Sequence, residues 1–242
     1  LAHHAQNVID SGLGIGSKIE IQKAGQCVPK IERTLSRAEE VIVPSQCPCC
    51  SHDLVWDEPR LVCPNTSGCS AQTERSIIHF FSIMGNVNNF GPASISKIVA
   101  AGHDTLERIY FLTADDYLDM GFGAGETQRF INELSRSQTE SVEDWRFLAS
   151  FGLHTLGRGD SRKLLEIHPL ETLGELTEKQ IIAIHGFGKI TAPIVFKELQ
   201  ANWPKIQFMM NLGFTLERTV SHDNAGSPID GKFIVFTGAM QH

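Results

Sequence analysis

Five of the six cysteines in this chain fall between positions 47 and 69, and their spacing suits a metal ion. Cys47 and Cys50 form a C-x2-C pair, and Cys63 and Cys69 form a C-x5-C pair twelve residues further on. Zinc in structural sites takes four ligands in a tetrahedron, and two short cysteine knuckles supply four thiolates. We therefore predict a structural zinc site made of Cys47, Cys50, Cys63 and Cys69.

Two other side chains in the same stretch compete for a place in this site. Pairing Cys47 with Cys49 would leave one residue between ligands, which is too few for the usual knuckle, so Cys50 is the better ligand. His52 remains an alternative ligand. Disulfide bonds or scattered core cysteines are further alternatives, but the sequence shows no apolar signal segment and only Cys27 lies elsewhere, which favours reduced thiols.

A second group of residues forms turns at a regular spacing. The turns are Asn89-Phe90-Gly91, Gly121-Phe122-Gly123, Leu156-Gly157 and Gly186-Phe187-Gly188. Their second glycines are 32, 34 and 31 residues apart (123 − 91, 157 − 123 and 188 − 157), and so constant a period indicates a repeated supersecondary unit. An apolar periodic run follows each turn, so each unit is predicted to be a helix, a tight turn and a helix.

Turns of this composition are suited to bind phosphate. Glycine permits positive φ and leaves N–H groups uncovered at the start of the second helix, where the helix dipole also favours an anion. The alternative is a plain helical hairpin with glycine C-caps, but four turns in register favour phosphate. The predicted phosphate-binding residues are Asn89, Gly91, Gly121, Gly123, Gly157, Arg158, Gly186, Gly188 and Lys189, with Lys97, Arg129, Arg162 and Lys163 as auxiliary cations. We also expect positive φ at Gly188 itself, and burial of the apolar middle residue of each turn.

The elements that must position these residues change along the chain from strand to helix. Alternation predicts a strand over 18–23 and an edge strand over 27–31, and a hairpin is predicted at 54–62 with its turn at 57–59. Residues 73–218 are predicted to be helical. Capping boxes are predicted at Thr113-x-x-Asp116, Ser141-x-x-Asp144 and Thr177-x-x-Gln180.

Composition limits how the chain could hold nucleic acid. Its 242 residues carry a net charge of −7, so a broad basic face is excluded, and any DNA contact has to use backbone N–H groups more than bulk charge. No run of about 18 apolar residues indicates a membrane span. Residues 219–227 have the composition of a linker, and 231–238 have the pattern of a buried strand. Because the chain starts without methionine and stops soon after that strand, we expect a piece of a longer protein.

The order of these features resembles the C-terminal half of the bacterial NAD-dependent DNA ligases. It is carried by Ala-Gly-Gln-Cys-Val-Pro-Lys at 24–30, the cysteine knuckles followed by Ala71-Gln72, the four turns, and Gly-Lys-x-x-Val-x-Thr-Gly at 231–238. The resemblance implies a multidomain, mainly α chain. Its expected domains are the end of an OB-fold barrel (1–43), a four-cysteine zinc finger (44–72), a helix-hairpin-helix domain of four units (73–218), a linker (219–227) and the first strand of a BRCT domain (228–242).

The same resemblance implies an activity for the parent protein. Such ligases seal nicks between 3′-hydroxyl and 5′-phosphate ends in duplex DNA during replication and repair, using NAD, magnesium and a lysine in a Lys-x-Asp-Gly motif. This sequence lacks that motif, so the chain is expected to clamp nicked DNA and to depend on an upstream adenylation domain for catalysis. A bacterial cytoplasmic location, without membrane contact, is implied. The alternative is a non-enzymatic DNA-binding module of another repair protein.

Overall fold

The structure is a computed structural model that describes residues 2, 4–24, 28–66 and 68–220. The chain divides into two compact units. One contains the residues up to Ile78 together with Phe90–Phe122, and the other contains His79–Asn89 together with the described residues from Gly123 onward. The predicted BRCT strand at 228–242 and the cysteine at 27 lie outside the described residues.

Among the described residues, strands form two pairs in the early part of the chain and one pair between residues 142–143 and 216–217. Helix α1 spans Ala5–Asp10, strands β1 and β2 span Lys18–Ala24 and Val28–Ser36, and strands β3 and β4 span Val55–Asp57 and Arg60–Val62. Both early strand pairs are antiparallel hairpins, as predicted, although β2 is longer than expected and α1 was not predicted. The assignment of the first pair to an OB-fold barrel stays a prediction.

Helices dominate the rest of the chain, which confirms the mainly α class. They are α2 (Ser70–Met84), α3 (Pro92–Ala100), α4 (Leu106–Tyr110), α5 (Ala114–Asp119), α6 (Ala124–Thr139), α7 (Asp144–Ser150), α8 (Arg158–Ile167), α9 (Glu178–Ile182) and α10 (Thr191–Met210), with a 3-10 helix at Leu170–Glu175. No helix in the described part of the chain is both long enough and apolar enough to cross a membrane.

Local side-chain signals start two of the helices as predicted. Thr113 and Asp116 form a capping box at α5, and Thr177 and Gln180 form another at α9. Each box satisfies backbone N–H groups that a helix start leaves open. These caps fix where the first helix begins in the second and fourth repeat units.

The third predicted capping box, at Ser141, is wrong. Residues Val142–Glu143 form strand β5, which pairs in parallel with β6 (Leu216–Glu217). The Ser141 hydroxyl donates to Glu217 Oε1 at 2.7 Å instead of capping α7, and the Asp144 carboxylate accepts from the N–H of Thr219 at 3.0 Å. A contact between residues more than 70 positions apart therefore displaces the local cap.

An aromatic cluster packs around α7 in the second unit. Phe147 lies 6.4 Å from Phe80, 5.2 Å from Phe151 and 5.3 Å from Phe214, measured between ring centroids. Such edge and tilted ring pairs add about 0.5–1.5 kcal/mol each beyond the area that they bury. The cluster holds α7 in place, and α7 packs against α8, so it also fixes the turn between these two helices.

Candidate metal centre and nucleic-acid interface

The four predicted zinc ligands converge on one point in the first unit. The sulfurs of Cys47, Cys50, Cys63 and Cys69 all lie within 4.8 Å of one another, with 3.9 Å between Cys47 and Cys69 and 3.5 Å between Cys50 and Cys63. A tetrahedron with Zn–S bonds of about 2.3 Å has sulfurs about 3.8 Å apart. The cluster therefore has the donor set and the size for a zinc ion.

The same distances settle the alternatives within the described residues. A disulfide requires about 2.05 Å between sulfurs, so all five described cysteines are free thiols. Cys49 lies outside the cluster and contacts the Ser70 hydroxyl at 3.1 Å. His52 also lies outside it, with Nδ1 3.2 Å from the Asn65 side-chain nitrogen. Neither Cys49 nor His52 is therefore positioned as a ligand.

Short backbone contacts shape the first cysteine knuckle. The Cys47 N–H donates to the His52 carbonyl at 2.8 Å, and the Ser51 N–H donates back to the Cys47 carbonyl at 2.9 Å. Ser51 takes a left-handed φ of 58°, which closes the turn after Cys50. This tight loop turns the Cys47 and Cys50 thiols toward the same point.

The second knuckle is held by the start of α2. Gln72 donates from its side-chain amide to the carbonyls of Cys63, at 2.9 Å, and Asn65, at 3.3 Å. Cys69 immediately precedes α2 and is 1% exposed. The Ala71-Gln72 pair that marks the sequence pattern thus fastens the Cys63 loop onto the helix that carries Cys69.

The electrostatics of the cluster favour a bound cation. A hydrogen bond from the His52 backbone lowers the pKa of Cys50 to about 6. The Gln72 N–H lowers the pKa of Cys69, but burial and the neighbouring Cys50 and Cys47 thiols together outweigh it and raise this pKa to about 12. Crowded thiols cannot all ionise without compensation, whereas a divalent cation would let all four bind as thiolates.

The four glycine turns share one backbone feature at their second glycine. The carbonyls of Gly91, Gly123, Gly157 and Gly188 each accept a hydrogen bond from the N–H four residues on, at 3.0, 2.9, 2.9 and 3.0 Å. The first three have extended backbone, with φ of −78°, −73° and −80°. Each second glycine therefore closes the first turn of the helix that follows it.

Positive φ occurs at the first residue of each turn and not at the second glycine. Asn89, Gly121, Thr155 and Gly186 have φ of 68°, 76°, 64° and 99°. The expectation that Gly188 requires positive φ is therefore wrong. The third turn, which lacks a first glycine, uses Thr155 in this position. Thr155 was missed because a β-branched residue is a poor indicator of a left-handed conformation.

The apolar middle residue of each turn is buried, as predicted. Phe90, Phe122, Leu156 and Phe187 are exposed by 6%, 7%, 1% and 5%. The glycines on either side of Phe122 and Phe187 are exposed instead. Burial of the middle side chain orients the turn so that its backbone faces solvent.

The second glycines stand beside empty space. Among the described residues, a Cβ at Gly91, Gly123 or Gly157 would have no neighbour within 4 Å, and a Cβ at Gly188 would meet only the Thr191 hydroxyl at 4.0 Å. Packing within the chain therefore does not require glycine at these positions. Among the described residues, the N–H groups of Gly123 and Gly157 have no hydrogen-bond partner.

Sequence reasoning missed two further glycines in the first turns of α6 and α8. Gly125 and Gly159 follow the second glycines by two positions, and a Cβ at either one would also meet nothing within 4 Å. Glycine inside a helix costs about 1 kcal/mol relative to alanine. The Gly-x-Gly spacing at 123–125 and 157–159 could have identified both glycines in the sequence. Because these glycines have no side chains, the backbone at both helix starts is left uncovered.

The predicted cations are distributed unevenly around the turns. Arg158 begins α8 and is exposed, as are Lys189 and Arg129. Arg162 stacks on the Trp145 ring, with its guanidinium carbon 4.6 Å from the ring centroid. The two remaining predicted cations, Lys97 and Lys163, each lie against a glycine turn.

Known proteins resemble this chain over nearly its whole length, although no protein-family model matches it. It is 41% identical to a DNA ligase of Desulfatibacillum aliphaticivorans, over 99% of the chain and 38% of that ligase. It is also 41% identical to a DNA ligase of Desulfotalea psychrophila, over 99% of the chain and 36% of the ligase. A DNA ligase of Psychromonas ingrahamii is 37% identical, over 98% of the chain and 37% of that ligase.

These relatives confirm the resemblance to DNA ligases that the residue pattern indicated. The chain spans somewhat more than a third of the length of the curated relatives it matches. Over nearly its whole length, this chain is therefore homologous to one stretch of the DNA ligases.

Proposed function

We propose that this chain is the DNA-binding, C-terminal part of an NAD-dependent DNA ligase, which seals nicks between 3′-hydroxyl and 5′-phosphate ends in duplex DNA during replication and repair. The relatives named DNA ligase support the ligase parent. The observation that carries DNA binding is the set of four second glycines, which share one hydrogen-bond geometry and stand beside space that the chain leaves empty.

The proposed contact is between turn N–H groups and the DNA backbone. Helix α6 begins after Gly123 and helix α8 begins after Gly157, and both glycines have an N–H group without a partner among the described residues. At each helix start, this N–H group and the positive end of the helix dipole would attract a phosphate oxygen. A side chain at either glycine would occupy the space that the phosphate needs. Phosphates carry no base information, so this mode binds a nick in any sequence.

The proposed domains follow the resemblance. They are an OB-fold end at 1–43, a zinc finger at 44–72, a helix-hairpin-helix domain at 73–218, a linker at 219–227 and the start of a BRCT domain at 228–242. The zinc finger would hold zinc through Cys47, Cys50, Cys63 and Cys69, and its role is structural. Within 44–72 the strands are short, so the metal would replace a hydrophobic core.

Catalysis is assigned to the rest of the parent enzyme. In this class, a lysine is adenylated from NAD, AMP passes to the 5′-phosphate at the nick, and the 3′-hydroxyl then displaces AMP. The chain has no Lys-x-Asp-Gly sequence to supply that lysine. NAD and magnesium would bind an upstream adenylation domain of the same protein, while this part clamps the nicked DNA in the bacterial cytoplasm.

The test of this proposal is to fill the empty space beside two turns. Alanine fits the extended backbone of Gly123 and Gly157, so the double variant Gly123→Ala/Gly157→Ala should keep its fold. We expect a loss of about tenfold in affinity for a nicked duplex at each turn, because a hydrogen bond to a charged group contributes about 1.5–3 kcal/mol. Fluorescence anisotropy with labelled nicked DNA measures the affinity.

Ser135→Ala provides the matched control, because this exposed serine lies further along α6 and away from its turn. The control should bind like the wild type, and circular dichroism should show the same helix content in all variants. A folded double variant with wild-type affinity would contradict phosphate binding at the turns.

A further inference from the structure

A lysine of the first repeat unit contacts the turn of the second. Lys97, in α3, donates from Nζ to the Gly121 carbonyl at 2.7 Å, and the same Nζ lies 4.2 Å from the centroid of the Phe122 ring. The lysine is exposed and all three residues belong to the first unit. Its ammonium is thus fixed beside the first residue of the turn.

The third repeat unit also places a lysine close to the first glycine of the fourth turn. Lys163, in α8, has Nζ 2.9 Å from where a Cβ of Gly186 would stand, with Cδ and Cε at 3.5 and 3.6 Å. Its ammonium also pairs with Asp160 at 2.9 Å. These residues all belong to the second unit.

The two lysines occupy equivalent positions in the repeat. Each follows the second glycine of its own turn by six residues (97 − 91 and 163 − 157), and each contacts the first glycine of the next turn. Six residues after the second and fourth turns stand Arg129 and Ile194 instead of lysine. The arrangement thus occurs twice in the repeat. A lysine of the first repeat unit contacts the turn of the second, and a lysine of the third repeat unit contacts the turn of the fourth.

A purely structural role in stabilising the turns does not explain why Lys97 and Lys163 are charged residues. Gly121 and Gly186 already have the left-handed φ that glycine adopts freely, so the turn needs no cation to form. The pair between Lys163 and Asp160 is exposed, with side chains 46% and 38% accessible, and solvent and salt weaken exposed ion pairs. Both ammonium groups are therefore available to a stronger anionic partner.

We propose that Lys97 and Lys163 are phosphate-binding residues of the turns that follow them. The second turn (121–123) and the fourth turn (186–188) would then each bind the DNA backbone with the help of an ammonium group from the preceding repeat unit. This proposal rests on the proposed DNA-binding function. It gives an acidic chain a full positive charge where turn N–H groups supply only partial charges.

The test uses a substitution that removes the charge and keeps a hydrogen-bond donor. Glutamine retains an N–H group that can donate to the Gly121 carbonyl at position 97 and to the Asp160 carboxylate at position 163. We expect Lys97→Gln and Lys163→Gln each to bind nicked duplex about fivefold more weakly near 0.1 M salt, and to reduce the slope of log affinity against log salt by about one. Lys97→Arg and Lys163→Arg keep the charge and should keep the wild-type slope.

Lys205→Met is the matched control, because it lies in α10 about 20 Å from the start of that helix. It should change neither the affinity nor the slope. Glutamine variants with an unchanged slope would overturn the proposal, because the lysines would then only support the turn. If the wild type itself does not bind duplex DNA, the proposed function fails first and the lysine proposal fails with it.

Discussion

At the scale of single residues, the third turn contains a threonine where the other turns have glycine or asparagine. Thr155 has φ of 64°, a conformation that β-branched residues rarely adopt, and its Oγ1 is buried without a hydrogen-bond partner among the described residues. Asn89 occupies the equivalent place in the first turn, and asparagine tolerates it better. A strained backbone of this kind costs about 1–3 kcal/mol.

We predict that Thr155→Gly stabilises the protein. Relief of the strain and loss of the unpaired hydroxyl should exceed the entropy that glycine adds to the unfolded chain, for a net gain of about 1 kcal/mol. A gain of that size raises Tm by about 2–4 °C in a chain of this length, measurable by a thermal scan. Thr172→Gly should lower Tm, because that hydroxyl donates to the Pro169 carbonyl at 2.8 Å. A Tm that falls in both variants would contradict strain at Thr155.

At the scale of elements, the cysteine cluster explains how strands as short as β3 and β4 can be held in place. Three-residue strands bury little apolar surface, and Val55 and Trp56 are both 46% exposed. Cross-linking by a metal at both knuckles and at the start of α2 would replace that missing core. Cys49 and Cys50 are adjacent in sequence, but only Cys50 has its sulfur in the cluster.

This difference allows a matched test of the metal site. Cys50→Ser should remove a ligand, abolish stoichiometric zinc and loosen residues 44–72, because binding energy in such a site is folding energy. Cys49→Ser should keep about one zinc per chain, since its thiol is not part of the four-sulfur cluster. Metal content by atomic emission, with amide exchange over 44–72, checks both. Equal zinc in the two variants would contradict the assignment of ligands.

Signals carried by neighbouring residues were enough to predict much of this structure. The spacing of Cys47, Cys50, Cys63 and Cys69 predicted their convergence, because knuckles of fixed length restrict where a thiol can lie. Thr113 and Thr177 predicted helix starts, since a capping box is complete within four residues. The regular period of the turns predicted the repeated helical units.

Signals that depend on distant residues were not visible. The local pattern predicts a capping box at Ser141, but this hydroxyl donates to Glu217 in strand β6, about 75 residues away in sequence. Positive φ was expected at Gly188 and occurs at Gly186, because glycine tolerates both conformations and its presence alone does not indicate which one is adopted. The contacts of Lys97 and Lys163 with the next turn depend on packing between units of the repeat.

At the scale of the whole molecule, a net charge of −7 conflicts with binding to a polyanion unless the contacts are local. Under the proposed function the turns would make such local contacts, because their buried middle residues orient exposed glycines outward. Backbone N–H groups add attraction without adding formal charge. The remaining acidic surface would weaken nonspecific association and leave the turns as the places where DNA can approach.

We therefore predict a shallow salt dependence for the wild-type chain. Only cations displace condensed counterions, and four stand at the turns: Lys97, Arg158, Lys163 and Lys189. With a slope of about −0.9 for each phosphate neutralised, log affinity against log salt should fall with a slope of about −3 to −4. Duplexes of unrelated sequence should give the same slope and affinity, because phosphates do not differ between sequences.

The measurement is a salt titration of anisotropy on two nicked duplexes, one rich in A·T and one rich in G·C. A slope near −8, or an affinity that differs tenfold between the duplexes, would show that broad charge or base contacts dominate instead of the turns.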